Sequence, residues 1–478
     1  MIDTKALRQK ILDMAIKGEL VPQDPTDEPA SILLEKIRAE KQQLIKEGKI
    51  KKDKADSVIF KGDDNRHYEN LPNGWVEISL FEICWLEDGN QINGEELVYW
   101  DAKALRGKNT KVKISYGKIV EQGKNVILVD GENSGEVFTI PYRGYLGSTF
   151  KILQIAPLVS QNFVKIILDY NRDLFRENKT GSAIPHLNKR LFKTMNVLLP
   201  PFLEQERIAK NVDLLLSQID IIEQNQTDIE TLYDELKKRT LDLAIRGKLV
   251  PQDENDEPAS ELLKRIRAEK KAQLCKKYVD SYIYKGDDNY YYEKVGSEAK
   301  NISEEIPFDI PENWEWIRLG TLFQHNTGKA LNSSNTKGNK RKYITTSNLY
   351  WDHFKHDNLR EMLFTDEETE KCSVRKGDLL VCEGGDIGRA AIWNYDYSMC
   401  IQNHIHKLRP YQSINIYFYY YVFYVYKNIG LIGGKGIGIQ GLSSNALDRL
   451  IIPLPPIQEQ NRIIDEIDML INKLKDEN

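Results

Sequence analysis

The stretch that decides the fold is LEQERIAKNVDLLLSQIDIIEQNQTDIETLYDELKKRTLDLAIRGKL, residues Leu203–Leu249. Steps of four and three residues from Ile208 reach eleven positions, and nine of these are apolar or aromatic. This 3.5-residue repeat predicts a coiled-coil helix, about 60–65 Å long at about 1.5 Å per residue. Gly247 predicts where the helix ends. A long amphipathic helix inside a single domain is the alternative interpretation.

The text after this stretch repeats the beginning of the chain. From Leu12 the sequence reads LDMAIKGELVPQDPTDEPASILLEKIRAEK, and from Leu241 it reads LDLAIRGKLVPQDENDEPASELLKRIRAEK. Later in each half, VLLPPFLEQERI (from Val197) returns as IPLPPIQEQNRI (from Ile452). Matches this long and in the same order indicate a tandem duplication whose two middle segments differ in length.

Composition sets the class of protein. The chain has 478 residues, of which 41% are hydrophobic and 29% charged, enough for several domains with their own cores. The sequence predicts no secretory signal and no membrane span, since the aromatic run Ile416–Tyr426 is too short to cross a bilayer. We expect that run to be a buried helix. Five cysteines without a CxxC pair predict reduced thiols and a cytoplasmic location.

Charge is unevenly distributed along the chain, whose net charge is −5. Trp75–Arg190 has 15 Lys and Arg against 14 Asp and Glu, and Trp314–Leu450 has 17 against 13. The two middle segments are therefore the least acidic parts. Because local charge sets the attraction to phosphates, the total does not exclude nucleic acid.

The pattern predicts an α+β protein with two mixed α/β domains separated by long antiparallel coiled-coil helices, arranged as a pseudo-twofold duplication. Short strand-like runs such as TFKILQI and GDLLVCEGGDIGRAAIW occupy both middle segments. We expect five regions: an N-terminal helical region (1–70), a first recognition domain (71–200), a central helical spacer (201–305), a second recognition domain (306–455) and a C-terminal helix (456–478).

This layout resembles the specificity subunit of type I restriction–modification systems. The resemblance covers the whole chain and depends on the duplicated KLVPQD and DEPAS blocks, the GSAIPHL and GIGIQGL segments that close the two middles, and the paired LPPFLEQ and LPPIQEQ helix starts. It implies two target-recognition domains, each reading one half of a split double-stranded DNA sequence. It further implies a non-catalytic subunit on which methyltransferase subunits, two in number, and restriction/translocase subunits assemble. S-adenosylmethionine, ATP and Mg would then belong to those partners, and no cofactor to this chain.

Two other functional hypotheses remain open, namely a coiled-coil scaffold and a methyltransferase or nuclease that acts alone. The only GxGxxG, residues 436–441, opens a short predicted helix, and the position about twenty residues later lies in the next helix near Glu459, which is not the βαβ context of a dinucleotide site. Leu199–Phe202 has leucine where an amino-methyltransferase is expected to have Asn or Asp before Pro-Pro-aromatic. A nuclease would depend on Asp101-Ala102-Lys103 alone.

Histidines and basic residues of the middle segments are the candidate site. His404 and His406 alternate along a predicted strand, so we expect both rings on one face. Without a third ligand nearby, DNA-facing or surface positions are a better interpretation than a metal site. Lys and Arg mostly position a protein on phosphates, while Arg can also read base edges. The candidate DNA contacts are Lys108, Lys111, Lys113, Arg143, Lys151 and Lys179 in the first domain, and Lys337, Lys340, Arg341, Lys342, Arg389, His404, His406 and Lys435 in the second.

Overall fold

The computed structural model describes residues 1–48, 71–108, 112–181, 185–275, 278–331, 336–433 and 442–476. The chain divides into two compact units, Met1–Asp228 and Ile229–Asn478.

Unit 1 contains helices at both of its ends and short strands between them. Its elements are α1 (Thr4–Lys17), α2 (Ala30–Lys46), β1 (Val76–Ser79), α3 (Leu80–Ile83), β2 (Cys84–Glu87), β3 (Gln91–Trp100), α4 (Ala102–Leu105), β4 (Lys113–Val120), β5 (Asn125–Leu128), β6 (Val137–Thr139), β7 (Gly144–Leu146), β8 (Phe150–Ile155), α5 (Gln161–Tyr170), α6 (Arg172–Glu177), α7 (Lys189–Thr194), β9 (Asn196–Leu199) and the first part of α8 (Phe202–Ile245).

Unit 2 begins inside α8 and repeats this plan. It continues with α9 (Ala259–Leu274), β10 (Ser281–Lys285), β11 (Tyr291–Val295), β12 (Glu298–Asn301), a 3-10 turn (Ser303–Glu305), β13 (Glu315–Arg318), α10 (Leu319–Leu322), β14 (Phe323–Thr327), β15 (Asn339–Ile344), β16 (Arg360–Phe364), α11 (Asp366–Cys372), β17 (Ser373–Val374), β18 (Leu379–Cys382), β19 (Ala390–Ile392), β20 (Met399–Ile401), β21 (Ile405–Pro410), α12 (Ile416–Asn428), α13 (Ser444–Asp448), β22 (Ile451–Leu454) and α14 (Ile457–Asp476).

The central helix and its end are confirmed. α8 is continuous over 44 residues. Gly247 follows it with φ of +66°, in the left-handed region where glycine is favoured. The amides of Gly247 and Lys248 donate to the carbonyls of Ala244 and Leu243, at 3.1 and 2.9 Å, which satisfies two carbonyls of the last turn.

Burial along the predicted seam of α8 is strong only near the two ends of the helix. Ile208, Val212 and Ile219 are buried in the core of unit 1. Ile229 and Leu236, in the middle of the seam, are 49% and 47% exposed. The periodicity therefore predicted the helix correctly, and burial within the described residues is greatest at the seam positions near its two ends.

α1 packs antiparallel to the first part of α8. Near the start of α1, the carbonyl of Ile2 accepts from Nε2 of Gln226 at 3.3 Å. Six residues further along the chain, Arg8 pairs with Asp220 and Glu223, the latter at 3.1 Å. Contacts thus move towards lower α8 numbers as α1 advances, which fixes the direction.

Each recognition domain begins and ends on a pair of adjacent antiparallel strands. β1 pairs with β9, and β13 pairs with β22. Between them, unit 1 has the sheet β2-β8-β5-β6 and a small closed barrel of β3, β4 and β7. Unit 2 has the sheets β14-β21-β18-β19 and β16-β15-β20-β17. The domain boundaries given above stay predictions.

The largest cores pack helices against these sheets. In unit 2, α12 buries Phe418, Tyr419, Phe423 and Tyr426 in one cluster with Trp314. The prediction that the aromatic run is a buried helix is confirmed. All five cysteines are free thiols. Over the described residues, none of the helices has the length and hydropathy that crossing a membrane requires.

Equivalent side chains join domain and helix in both units, which shows the duplication at the level of single contacts. Gln205 Nε2 donates to the Pro200 carbonyl at 2.9 Å, and Gln460 Nε2 donates to the Pro455 carbonyl at the same distance. The amide oxygens of these two glutamines accept from backbone amides of the recognition domains, at 2.9 and 3.0 Å. The repeated glutamine therefore ties α8 or α14 to the domain that precedes it.

Residues 281–301 correct the prediction of a helical spacer that extends to residue 305. Three antiparallel strands, β10, β11 and β12, occupy this range. The alternation in SYIYK places Ile283 in the core while its tyrosine neighbours face away, a two-residue period that only a strand supplies. The sequence GDDN at 286–289 provides the turn, with Asn289 at φ +64°.

Candidate nucleic-acid interface

Three loops meet at one edge of the unit 1 recognition domain and form what we call loop cluster 1 (residues 129–136, 147–149 and 179–187, of which 182–184 are not described). The Val129 amide donates to the Thr149 carbonyl at 2.8 Å. The Leu187 amide donates to the Val129 carbonyl at 2.8 Å. These bonds arise because β5 ends where the antiparallel β8 begins, so the loops at those ends are neighbours.

Loop cluster 2 (residues 345–350, 383–389 and 402–404) occupies the matching edge in unit 2. The Glu383 amide donates to the His404 carbonyl at 3.0 Å, and Arg389 Nη2 donates to the Thr346 carbonyl at 2.6 Å. A side chain added at Gly384 would meet no atom within 4 Å, so this backbone can be approached closely. Open glycine loops beside cations are suited to contact a phosphodiester chain.

Carboxylates orient several candidate cations in these clusters. Lys179 Nζ contacts Glu132 Oε2 at 2.8 Å, and its side chain is 19% exposed. His404 lies 3.4 Å from Glu383 and is 56% exposed, so its ring is accessible. Arg389 is 16% exposed and lies 5.0 Å from the centre of the Tyr350 ring, which makes it a supporting residue more than a surface cation.

A second group of candidates lies on paired strands. Lys340, Arg341 and Lys342 are consecutive exposed residues of β15, and Lys340 reaches Glu361 on the neighbouring β16 at 3.5 Å. Lys113, exposed on β4, belongs to the corresponding ribbon formed by β3 and β4 in unit 1. Two-stranded ribbons have the width to enter a major groove, where basic side chains can reach phosphates and bases.

Lys151 shares one carboxylate with a residue that the sequence did not single out. Asp88 accepts from Lys151 at 2.5 Å and from Lys118 at 2.9 Å. These two ammonium groups lower the pKa of the Asp88 carboxyl to about 2. Two positive charges against one negative charge leave this face of unit 1 with local positive charge.

The remaining candidates are dispersed. Arg143 is half exposed and pairs with Glu95 and Glu121, each at 3.2 Å. Lys108 is exposed just after α4, and Lys337 is exposed just before β15. Lys111 and Lys435 lie outside the described residues, as does the GxGxxG segment. The nuclease candidate Asp101 accepts from the Ala104 amide at 2.8 Å, so this carboxylate caps α4.

His406 corrects the expectation that both histidines share an exposed face. The turn that precedes β21 includes His404, so strand alternation starts one residue later than expected. His406 is 0% exposed; its Nε2 contacts the Leu442 carbonyl at 2.7 Å and its Nδ1 lies 2.9 Å from His325 Nε2. Burial lowers the pKa of His406. It is therefore removed from the DNA-facing candidates, and the other assignments stay predictions.

Sequence reasoning missed His186, although it lies inside the GSAIPHL segment. His186 Nδ1 is 2.6 Å from Asp130 Oδ1, and the side chain is 51% exposed. It joins two of the loops of loop cluster 1. The sequence pattern gave no indication of this pairing, because residues 130 and 186 are far apart in the chain. Among the described residues, no group of three or more His, Cys, Asp or Glu has a metal-site arrangement.

Comparisons with known proteins agree with this architecture. The family model described as type I restriction modification DNA specificity domain matches residues 72–231 and 311–478. The EcoAI specificity subunit of Escherichia coli is 30% identical, over 98% of this chain and 90% of its own length. The EcoEI specificity subunit of the same organism is 32% identical over 66% of this chain and 61% of its own.

A solved structure shares the fold. A chain from work on the assembly and conformational transition of the type I R-M system matches with a TM-score of 0.54 and 18% identity, covering 85% of this chain and 92% of that one. Two family-model matches include most of the chain, and one relative spans nearly all of it. The chain belongs to the family of type I restriction–modification DNA specificity subunits.

Proposed function

We propose that this chain reads a bipartite double-stranded DNA target, with one half-site for each recognition domain. The observation that supports this proposal is that the loops of the two recognition domains share a backbone hydrogen-bond pattern but differ in their side chains. The Leu128 amide donates to the Glu136 carbonyl at 2.9 Å, and the Cys382 amide donates to the Arg389 carbonyl at 2.8 Å. The same loop position thus has a glutamate, Glu136, in one domain and an arginine, Arg389, in the other.

The two loop edges therefore differ in charge although their backbones correspond. Glu136 pairs with Arg106 and with Arg172, the latter at 3.0 Å, whereas Arg389 bonds to a backbone carbonyl. Both side chains are largely buried, so each sets the packing and charge behind its loop, and the exposed positions of these unlike loops offer different donors and acceptors to base edges. Two unlike halves of one target follow from this difference.

We further propose that the chain is the non-catalytic member of a larger assembly. The duplicated buried glutamine contacts hold α8 and α14 in equivalent ways against the two domains, and this repeated frame supports the docking of two methyltransferase subunits. Restriction/translocase subunits would join through them. S-adenosylmethionine, ATP and Mg would be bound by these partners, and the assembly would act on cytoplasmic DNA.

The experiment that tests the bipartite reading exchanges one recognition domain. Residues 75–200 are replaced by the corresponding segment of a relative, and both proteins are produced with their methyltransferase partners. Methylated adenines are then mapped across the genome. We expect one half of the methylated sequence to change and the other half to persist. A change of both halves together would contradict the assignment of one half-site to each domain.

The same mapping separates the alternatives. The chain produced without partners should give no methylation above background, whereas methylation by the chain alone would favour a stand-alone enzyme. A scaffold would leave the methylated sequence unchanged after the exchange.

A further inference from the structure

A face rich in tyrosine lies on the sheet β10-β11-β12, between the two segments that the family model matches. Tyr284 is directly opposite Tyr292, and Tyr282 is directly opposite Lys294. Directly opposite residues of antiparallel strands project to the same side. Ile283 projects to the other side, where it is 6% exposed and part of the core of unit 2.

The rings of this face form a continuous ladder. The centroids of Tyr282 and Tyr284 are 5.8 Å apart, and those of Tyr284 and Tyr292 are also 5.8 Å apart, with an interplanar angle of 26° for the second pair. Tyr284 is 38% exposed, and Tyr290 in the adjoining turn is 54% exposed. The ladder is therefore a preformed aromatic surface that solvent reaches.

Cations flank the ladder, and its strand positions carry no carboxylate. Lys294 Nζ lies 6.0 Å from the Tyr282 centroid, and the guanidinium carbon of Arg267 lies 5.3 Å from it. Opposite Lys294 and Tyr292, β12 contributes Ala299 and Asn301. The charge of this face is positive, which complements phosphate.

Two acidic residues lie near the face, one in the turn at its end and one on the opposite side of the sheet. Asp288 in the turn accepts from the Tyr292 hydroxyl and from the Tyr290 amide, at 2.8 and 3.1 Å. Glu293 belongs to the opposite face of the sheet and is bound by Arg318 at 2.7 Å. Arg318 thus neutralises Glu293, whereas hydrogen bonds to Asp288 lower the pKa of its carboxyl, which stays charged at the turn end of the face.

We propose that this tyrosine face binds unpaired nucleotides of DNA, in addition to the duplex read by the recognition domains. Aromatic rings on an open sheet bind single strands because every base offers a face for stacking, whatever its sequence. Flanking ammonium and guanidinium groups hold the phosphates between stacked bases. A duplex keeps its bases stacked on one another, so such rings recognise strands that are locally opened.

The first copy of the repeat has only part of this ring pattern in its sequence. Its segment FKGDDNRHYE corresponds to YKGDDNYYYE, so Phe60 stands for Tyr284, and Arg66 and His67 stand for Tyr290 and Tyr291. Two residues before Phe60, Val58 corresponds to Tyr282. The first copy therefore keeps a ring pair, Phe60 and Tyr68, but lacks the third ring and has Asn70 in place of the cation Lys294, so the complete face is found in the second copy.

The test uses the full-length chain and a fluorescein-labelled oligothymidylate of about fifteen nucleotides, a length within the usual site sizes. Binding is followed by anisotropy at two salt concentrations. We expect the variant with both Tyr284→Ala and Tyr292→Ala to lose affinity by at least about 25-fold, since each of the two lost stacks costs about 5-fold or more. The matched variant with Tyr284→Phe and Tyr292→Phe retains both rings and should retain binding. Lys294→Glu should weaken binding and flatten its salt dependence.

Duplex binding and thermal melting are measured for the same variants. Unchanged values in both would show that a loss of oligothymidylate binding does not come from unfolding or from a failure to recognise the bipartite target. Equal oligothymidylate affinity of the native and alanine proteins would overturn the proposal, as would tighter binding of oligouridylate than of oligothymidylate. Loss of a partner subunit from the alanine protein, with oligothymidylate binding unchanged, would show a protein-docking face instead. Phenylalanine variants that lose binding together with the alanine variants would assign the effect to the hydroxyl groups and reject stacking.

Discussion

At the scale of single residues, Asp27 and Asp256 are carboxylates that the fold takes out of water and neutralises with one arginine each. Arg207 reaches Asp27 at 2.5 Å, and Arg462 reaches Asp256 at 2.6 Å. The aspartate side chains are 4% and 5% exposed, while the arginines keep about a third of their surface in solvent. These ion pairs therefore link the first turns of α8 and α14 to the first residue of the two DEPAS blocks.

Replacing Arg462 by Met should lower the free energy of unfolding. The methylene packing is kept, but the buried Asp256 loses its partner, which typically costs about 1–3 kcal/mol. Urea unfolding at neutral pH measures the change. Arg265→Met is the matched control, because its partner Glu257 is well exposed and the pair should contribute little. Equal losses in both variants would contradict the role given to burial.

The pair His325 and His406 predicts a response to acid. Burial lowers the pKa of His406 in the folded protein, so the unfolded chain takes up this proton at higher pH. Stability should therefore fall as pH drops below about 6.5, the ordinary value for histidine. His406→Gln keeps a donor for the Leu442 carbonyl and removes the titration.

The comparison between variant and native protein isolates His406 from other groups. Burial raises the pKa of Glu204 and of Glu459. Their contribution to the free energy of unfolding therefore decreases as pH rises, opposite to the contribution of His406. Because both proteins contain them, their effect cancels in the difference. Free energies of unfolding measured in urea from pH 5 to 8 should converge at the acid end. Parallel curves for the two proteins would contradict this prediction.

At the scale of elements, Gly247 shows how closely the end of α8 is packed. A Cβ added there would meet Pro311 Cγ at 2.5 Å and Trp314 Cζ2 at 3.0 Å. The residue also has the left-handed backbone that a side chain disfavours. The turn between α8 and the DEPAS segment therefore requires glycine for two separate reasons.

Gly247→Ala should destabilise unit 2 by more than the backbone alone explains. The left-handed conformation costs about 1–2 kcal/mol for a residue with a Cβ, and the contact with Pro311 adds to that. Gly296→Ala is the control, since Gly296 has φ of +60° but no atom within 4 Å of the added carbon. Chemical denaturation of both variants separates the two costs. A loss no larger than that of the control would show that the turn can move away from Pro311.

Elements were predicted from sequence with uneven success, for physical reasons. The 44 residues of α8 carry a long periodic signal, and Gly247 marks their end, so both were found. The sheet at 281–301 was missed because its flanking helices and its place between two repeated blocks suggested a helical spacer. The prediction for His406 was wrong because His404 belongs to the turn before β21. The direction of its side chain therefore does not fix that of His406, and the sequence does not show where so short a strand begins. Pairs such as Asp130 with His186 join residues that are distant in the chain, and such contacts cannot be predicted from a single sequence.

At the scale of the whole molecule, α8 is one unbroken helix that both units share. Its length is therefore a candidate for the quantity that sets the number of base pairs between the half-sites. Inserting seven residues near Gln224 would keep the 3.5-residue register and add about 10 Å along the helix axis. This length corresponds to about three base pairs at roughly 3.4 Å each.

We expect the lengthened protein to retain both half-sites and to methylate targets whose spacer is longer by about three base pairs. Genome-wide mapping of methylated adenines with the partner subunits provides the measurement. A two-residue insertion at the same position is the control, because it breaks the register and should abolish activity. An unchanged spacer in the seven-residue variant would show that the helix does not set the spacing.

The pairing of β1 with β9, and of β13 with β22, has a consequence for evolution. Each recognition domain leaves its frame and returns to it at neighbouring points, and a few contacts such as those of Gln205 and Gln460 tie its interior to the helices. Mutations, insertions and deletions between those ends can accumulate without moving the helices, because the cost of closing a loop rises slowly with its length. Selection can therefore diversify what such a protein recognises while the parts that assemble with its partners remain under constraint, and a lineage can acquire new targets without rebuilding its machinery.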